Sequence, residues 1–578
     1  MRFRFLLDPD FSLLNQPGPE LSLPLTLFTA LLAITLPLMK TTPSPRCLFV
    51  DDHHVGEIHQ LTRNLNRPQK HPSNPILKPE RPWEGKGIWS KNATLWDSDA
   101  EEFRMWYAVS SEGGGHRACI AKSSDGVSWE RPDLGLVAFD GSRNNNLLDA
   151  EVFQLVHGAD DRVVPPADEL YRCVSWSHEK GQHLLTSANG LQWSASSSID
   201  IFGAGDTFLL TKGTRPLTGR GGLPGYPSGS NVPRYIGAAR WCVGVGRFDG
   251  SSDTRPTRRV QALLRSEDLR NWSDPVRILT PDSLDDQMAM ERIELALSEG
   301  WLQMDNYTDR RCEFYTLLVI PYEDLYIGML LVFDACYENH RHGSANQQGP
   351  GHWQLVASRD LLTWERLGGR APFIPRGRPD EFDCGLAWYS SLPVVVDDTM
   401  WFFYAGNQIG HGTMPEYERK VEQQFRKGAP SGFGCIGAAR LRRDGWVSLD
   451  ADAVPGHLLT RTIQWPEQGE LHLNVDASGG RVVVSICQPD GTPYPGFDAS
   501  EAITGDHCDT SVRFPDLRKI PNPWGGPQTH GTLAETGPER LGTQEYESLP
   551  RHWKLQAGLP ARIRIAAQNA KLFSYWFA

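Results

Sequence analysis

Ser123-Ser124-Asp125-Gly126-Val127-Ser128-Trp129 is the stretch on which the reading of this chain turns, because it comes back. It returns as Ser187-Ala188-Asn189-Gly190-Leu191-Gln192-Trp193, as Ser266-Glu267-Asp268-Leu269-Arg270-Asn271-Trp272 and as Ser358-Arg359-Asp360-Leu361-Leu362-Thr363-Trp364. A worn fifth form, Arg443-Asp444-Gly445-Trp446, lacks the Ser and has a shorter spacer. Each intact copy reads Ser-x-Asp/Asn-Gly/Leu-x-x-Trp and follows a β-type run such as Arg117-Ala118-Cys119-Ile120-Ala121. Such a phrase predicts a hairpin. The strand ends at the Ser, and Asp or Asn with Gly makes the turn, since these residues tolerate positive φ or bond back to their own backbone. The Trp then opens the next strand and packs on a neighbouring sheet.

The five Trp residues, 129, 193, 272, 364 and 446, follow one another at steps of 64, 79, 92 and 82 residues. One supersecondary unit repeated with elastic spacing implies a radial array whose insertions lie in loops. The expected fold is therefore all-β, a five-bladed β-propeller over residues 83–450. From about residue 453 the phrase stops. Leu471, Leu473 and Val475 alternate with polar residues, Val482, Val484 and Ile486 repeat the pattern after Gly479-Gly480, and a last run ends near Phe577. Period-two strands divided by Asp/Gly turns predict a β-sandwich over residues 453–578.

The remaining composition agrees. A chain of 578 residues is long enough for more than one core. Gly 55, Pro 42 and Trp 19 suit a turn-rich β protein. A net charge of −12 excludes a nucleic-acid partner, which needs surplus Lys and Arg. An acidic, aromatic-rich surface suits neutral polar ligands, sugars first. The ten Cys residues are scattered singly, without ligand spacing, so no metal site and no cofactor is implied. His340 and His342 form one His-x-His pair, a weak metal signal. At the N-terminus, Arg2 and Arg4 precede an apolar run over residues 21–39. Residues 1–40 thus read as an export signal or an uncleaved membrane anchor, placing the rest outside the cytoplasm. Residues 41–82 read as a polar, Pro-rich arm, and residues 415–427 as a helix inserted near the rim. No feature sets an oligomeric state.

In a propeller the innermost strand of each blade faces the axis, so the starts of those strands converge on one pocket. They supply Lys91 and Asn92, then Glu151, Asp206, Glu313 and Asp383, blade by blade. Asp206, Glu313 and Asp383 form the candidate catalytic set, because glycosidic cleavage needs a protonated acid beside an ionised carboxylate. Glu313 is expected to be the acid. Each has a plainer reading as well: Asp206 as a turn cap, Glu313 as a strand end paired with Arg310 or Arg311, Asp383 as a partly buried structural acid. Lys91, Asn92 and Glu151 are candidate substrate-binding residues, with Trp388 and Tyr389 for ring stacking and His411 for a hydroxyl. Core packing is the competing role of the two aromatics, and capping that of His411.

The turn phrase, Gly205-Asp206-Thr207 and Pro321-Tyr322-Glu323-Asp324-Leu325-Tyr326 together resemble the five-bladed propeller glycosidases, the invertase/levanase and arabinanase/xylosidase groups, and within them an exported bacterial branch. The resemblance spans residues 83–450 and implies a carbohydrate substrate. A propeller followed by a sandwich is also the invertase-like layout. The chain departs from that pattern where invertase-like enzymes carry Trp-x-Asn-Asp-Pro: here Ile88-Trp89-Ser90-Lys91-Asn92 stands instead. Their Arg-Asp-Pro and Glu-Cys motifs are missing too, so no catalytic residue transfers by position, and a non-catalytic sugar-binding propeller is the rival expectation.

Overall fold

The computed structural model describes residues 44–85, 87–90, 93–110, 116–152, 155–157, 165–177, 181–199, 201, 208–212, 233–244, 257–299, 307–338, 347–411, 434–515 and 555–578. They are nearly all β and propeller-like. The first sheet module holds Ile88–Trp89, Thr94–Asp97, Glu102–Ser110, His116–Ser123 and Leu147–Leu148. The second runs from Leu155–His157 through Tyr171–Ser177 and Gly181–Ser187 to Ser194–Ser198, and the third from Leu209–Lys212 through Tyr235–Gly244 and Thr257–Ser266 to Val276–Leu279. A larger sheet contains two further modules. One is built on Tyr307–Tyr322, Leu325–Glu338 and Gly351–Ser358, the other on Leu386–Ser390, Thr399–Asn407 and Cys435–Arg442. A single parallel pairing of Gly351 with Leu386 joins them.

Each module packs on the next, and the last packs on the first. Trp106 of the first donates its indole N–H to Gly190 O of the second at 2.8 Å. Arg172 of the second reaches the Tyr235 hydroxyl of the third. Thr211 Oγ1 of the third donates to Val319 O of the fourth at 2.7 Å. Met329 and Leu331 share a core with Phe402 and Tyr404 of the fifth. Phe403 of the fifth lies 5.4 Å from Phe103 of the first, ring to ring.

The repeated turn explains this packing. In every intact copy the Ser hydroxyl accepts the backbone N–H three residues on, at 2.8 Å from Gly126, 2.9 Å from Gly190, 2.9 Å from Leu269 and 2.9 Å from Leu361. The Asp or Asn oxygen accepts the next two N–H groups, and the Trp indole donates to the carbonyl of the Gly or Leu. Gly126, Gly190, Leu269 and Leu361 all have positive φ, at 73°, 73°, 66° and 66°. The choice between Gly and Leu follows from the preceding module. A Cβ on Gly126 would meet the Trp401 ring at 3.0 Å, and one on Gly190 the Trp106 ring at 2.7 Å. Leu269 and Leu361 instead fill cores shared with the aliphatic Val174 and Leu184, or Ile236 and Leu263. Where the neighbour presents an indole, the turn has no side chain; where it presents aliphatics, a Leu accepts the strained φ and gains burial.

The fourth module's approach carries a helix, Ser283–Ser298, on a stretch where the sequence analysis expected none. Asp282 caps it, accepting from Asp285 N–H while Asp285 reciprocates, and Ala289, Ile293 and Ala296 form its buried stripe. The helix expected over residues 415–427 lies outside the described residues.

The C-terminal strands make one ten-stranded sheet wrapped on a single core of Leu473, Val484, Ile565 and their neighbours. Leu471–Cys487 is one continuous strand that pairs first with Ala570–Phe577 and then with Pro560–Gln568. At Gly480 a Cβ would sit 1.8 Å from Gln568 O, so the Gly-Gly pair permits this bend and not a turn. Residues 44–70 are woven in: Cys47–Leu48, Val55–His59 and Thr62–Leu65 belong to this sheet, and Gln69–Lys70 forms the outermost strand of the fifth module. The worn fifth phrase anchors the join. Asp444, fully buried with φ 62°, receives Arg46 at 2.8 Å, the Tyr322 hydroxyl at 2.7 Å and the Ser574 hydroxyl at 2.7 Å. Burial pushes this carboxyl up, but Arg46, Ser574 and Tyr322 outweigh it and hold it below its usual range. Among the described residues no helix is long and apolar enough to cross a membrane, and the apolar run 21–39 lies outside them.

Two outcomes follow. Gly190→Ala adds a Cβ against Trp106 and strains φ, so a loss of about 2–4 kcal/mol in denaturant unfolding is expected. For the turn acids, partial burial raises Asp125, yet the N–H groups of Ser128 and Val127 bring it from 3.8 down to about 2, and Asp268 and Asp360 are lowered likewise. A lowered folded-state pKa contributes stability above about pH 4 that is lost as pH falls toward 2. Replacing all three with Asn, which residue 189 already uses, should blunt the acid-side fall in melting temperature.

Candidate functional site

Tyr307–Tyr322 and Leu386–Ser390 are the first strands of their modules, and both lose register where their aromatic residues stand. The pairing with Leu325–Glu338 slips between Phe314 and Thr316, leaving Tyr315 as the extra residue. The pairing of Leu386–Ser390 with Thr399–Asn407 slips between Ala387 and Ser390, across Trp388 and Tyr389. A bulge re-aims a side chain that a regular strand would send to the opposite face. Here the two breaks face each other. The rings of Tyr315 and Trp388 lie 4.6 Å apart, and His411 stacks on Trp388 at 5.5 Å and 26°. The Tyr315 hydroxyl meets His411 Nε2 at 3.2 Å, and a bridge from His411 N–H to Gly349 O at 3.1 Å fixes the backbone. Trp388 stays half-buried, its carbonyl held by the Trp353 indole at 2.8 Å. Tyr389 is buried beside it, its ring 5.0 Å from that of Trp388.

Charge lies beneath these rings. Arg259 packs its guanidinium over Tyr315 at 5.1 Å and over Phe333 at 5.6 Å, and Arg240 lies 5.8 Å from Tyr315. Arg259 is bound to one oxygen of Glu313 and Arg311 to the other, the latter at 3.1 Å. Glu313 is 0% exposed. A sealed carboxylate shared by two guanidinium groups suits a fixed charge that positions Arg259 better than a proton donor.

Asp383 lies in different company. Its Oδ2 takes Lys70 Nζ at 2.6 Å and the Tyr404 hydroxyl at 2.9 Å, and its buried Oδ1 has no partner among the described residues. Lys70 is on the outermost strand of the fifth module, so Asp383, which precedes that module's first strand, is tied to the opposite edge of its sheet. It lines a cavity of about 400 Å³ with Lys70, His71, Phe382 and Gln408. Burial pushes the carboxyl up against the pull of Lys70 and Tyr404. The segment 407–411 borders both places, with Gln408 on the cavity and His411 on the aromatic cluster.

Of the residues expected from the sequence, the structure gathers Glu313, Trp388, Tyr389 and His411, and holds Asp383 apart in its own cavity. Glu151 is half-buried at the approach to Leu155–His157. Asp206, Lys91 and Asn92 lie outside the described residues, as do His340 and His342. Tyr315, Arg259, Phe333 and Lys70 were missed. Tyr315 was within reach of the sequence, two residues after Glu313 on the same strand, but its aim depends on the bulge.

No family model matches the sequence, and no curated protein matches it. Among solved structures, the chain is similar to one described under the GH130 family of mannoside phosphorylases, with glycoside hydrolases that target β-1,2 mannosidic linkages in Candida mannan. That match has 13% identity, covers 68% of this chain and 96% of the other, and has a TM-score of 0.36. A β-1,2-mannobiose phosphorylase from Listeria innocua, complexed with β-1,2-mannobiose, matches at 11% identity, 65% and 96% coverage and a TM-score of 0.33. A GH62 hydrolase in complex with xylotriose matches at 8% identity, 64% and 95% coverage and a TM-score of 0.31. At these values the likeness reaches neither the substrate nor the site residues.

Glu313→Gln tests the fixed-charge role. Removing one partner of a buried ion pair should cost about 3–5 kcal/mol of unfolding free energy, measured in denaturant, whether or not any activity changes.

Proposed function

We propose that this chain is a carbohydrate-active, five-bladed propeller protein with a sandwich-like C-terminal module, and that it cleaves glycosidic bonds of an oligo- or polysaccharide. The observation that carries the reading is the half-buried Trp388, boxed by Tyr315 and His411 above the Arg259–Glu313 pair. Flat apolar rings edged by fixed polar groups match a pyranose, which has a C–H face and a hydroxyl rim. On this reading the saccharide runs along residues 407–411 from the aromatic cluster into the cavity of Asp383.

The acid role passes from Glu313 to Asp383. Burial favours its protonated form and the residue lines a cavity, whereas both oxygens of Glu313 are taken by arginines. Asp206 supplies the ionised carboxylate. The non-catalytic sugar-binding reading retains one specific support, the engagement of both Glu313 oxygens by arginines. The apolar run 21–39 supports export, which fractionation of the producing cells tests.

A panel of plant, fungal and algal glycans, tested for both binding and reducing-end release, decides between the two readings. Trp388→Ala should weaken binding by about tenfold or more, in line with losing one stacked ring at about 1–3 kcal/mol. Asp383→Asn should abolish release while leaving binding in place. In the unmodified protein, kcat/KM should fall as pH rises through the Asp383 pKa, since a general acid works only while protonated. Binding without release in the unmodified protein would establish the non-catalytic reading; neither binding nor release would remove both.

A further inference from the structure

The hairpin turn at Glu323-Asp324 reaches out of the fourth module to the loop 51–54, which lies between Cys47–Leu48 and Val55–His59 of the C-terminal sheet. Asp324 is 4% exposed. Its Oδ2 is occupied twice, by His54 Nε2 at 2.5 Å and by Arg359 Nη1 at 2.9 Å. Its Oδ1 is buried and has no partner among the described residues. The His53 ring stands edge-on to His54 at 4.7 Å. One donor atom each from His53, His54 and Asp324 lies within 4.8 Å of the others, a separation that a small inward movement converts into a shared coordination sphere.

We propose that His53, His54 and Asp324 form a binding site for one divalent transition cation such as Zn²⁺, with the unpartnered Asp324 Oδ1 as the carboxylate ligand.

Two imidazoles and one carboxylate are the donor set that Zn²⁺, Co²⁺ and Ni²⁺ prefer, whereas Ca²⁺ and Mg²⁺ call for oxygen alone. The nearby guanidinium does not repel the ion as a lone charge would. Arg359 is already matched by Asp51, which it holds through both remaining nitrogens at 2.8 and 2.9 Å. Asp324 is shared by Arg359 and His54, and an ion that binds here takes the place of a proton on the His54 ring. The scattered Cys and His spacing of the sequence hides this site, because its ligands stand some 270 residues apart. Its role is mechanical: the ion ties the N-terminal loop to the hairpin, and so the C-terminal sheet to the fourth module.

The test uses the full chain, stripped with EDTA and titrated with Co²⁺, whose visible absorption reports nitrogen ligation, followed by displacement with Zn²⁺. One equivalent of Co²⁺ should bind and be displaced, and Zn²⁺ should raise the melting temperature. His53→Ala removes an exposed ligand with little risk to folding, checked by circular dichroism. It should weaken Co²⁺ binding by more than about tenfold, the size that even outer partners contribute. Asp324→Asn should do the same where it folds. Absence of saturable one-to-one binding, or binding unchanged in His53→Ala, overturns the proposal.

Discussion

Four of the five modules of this protein depend on a side chain answering the backbone in a turn that has no other partner for it. A tight turn leaves N–H groups without a strand to bond to, and the Ser hydroxyl and the Asp or Asn oxygen accept three of them in every intact copy. The accompanying positive φ exposes the carbonyl that the Trp indole then takes. Turn, indole and neighbouring module are therefore set together. The alternation of Gly and Leu at one position follows the bulk of the module next door, as Trp106 against Gly190 makes plain.

The fifth copy has lost that pattern and gained a different task. The positive φ falls on Asp444 itself instead of on the residue after the acid, and its carboxylate collects Arg46, Tyr322, Ser574 and Asn474 from four separate parts of the chain. A carboxylate so deeply buried persists only because every contact is charged or a donor. The N-terminal segment, the fourth module and the C-terminal sheet meet there. The segment 44–70 is accordingly part of two sheets and not an appendage.

The candidate site arises from two departures from regularity. Strand bulges at Tyr315 and at Trp388–Tyr389 turn aromatic rings toward one another that an unbroken period of two would have dispersed. Beneath them Glu313 and the arginines make a fixed electrostatic floor. Asp383 lies in a separate cavity, linked to the rings by one short segment of chain.

The sequence by itself determined the all-β class, the repeated hairpin and the positions where it recurs, because those rest on local chemistry: a turn needs its own hydrogen bonds, whatever surrounds it. It also marked Glu313, Trp388, Tyr389 and His411 as candidates, Glu313 as an expected strand start and the other three by side-chain type. It missed the helix Ser283–Ser298 although the capping pair Asp282 and Asp285 was legible. The pairing of Glu313 with Arg311 was among the sequence readings, but tertiary structure alone decided that Arg259 joins it, that Asp383 turns to Lys70, and that Leu471–Cys487 bends as one strand. Those outcomes depend on partners some tens to hundreds of residues away and on bulges that shift a side chain by one position. A pattern of period two carries no information about where its own period breaks.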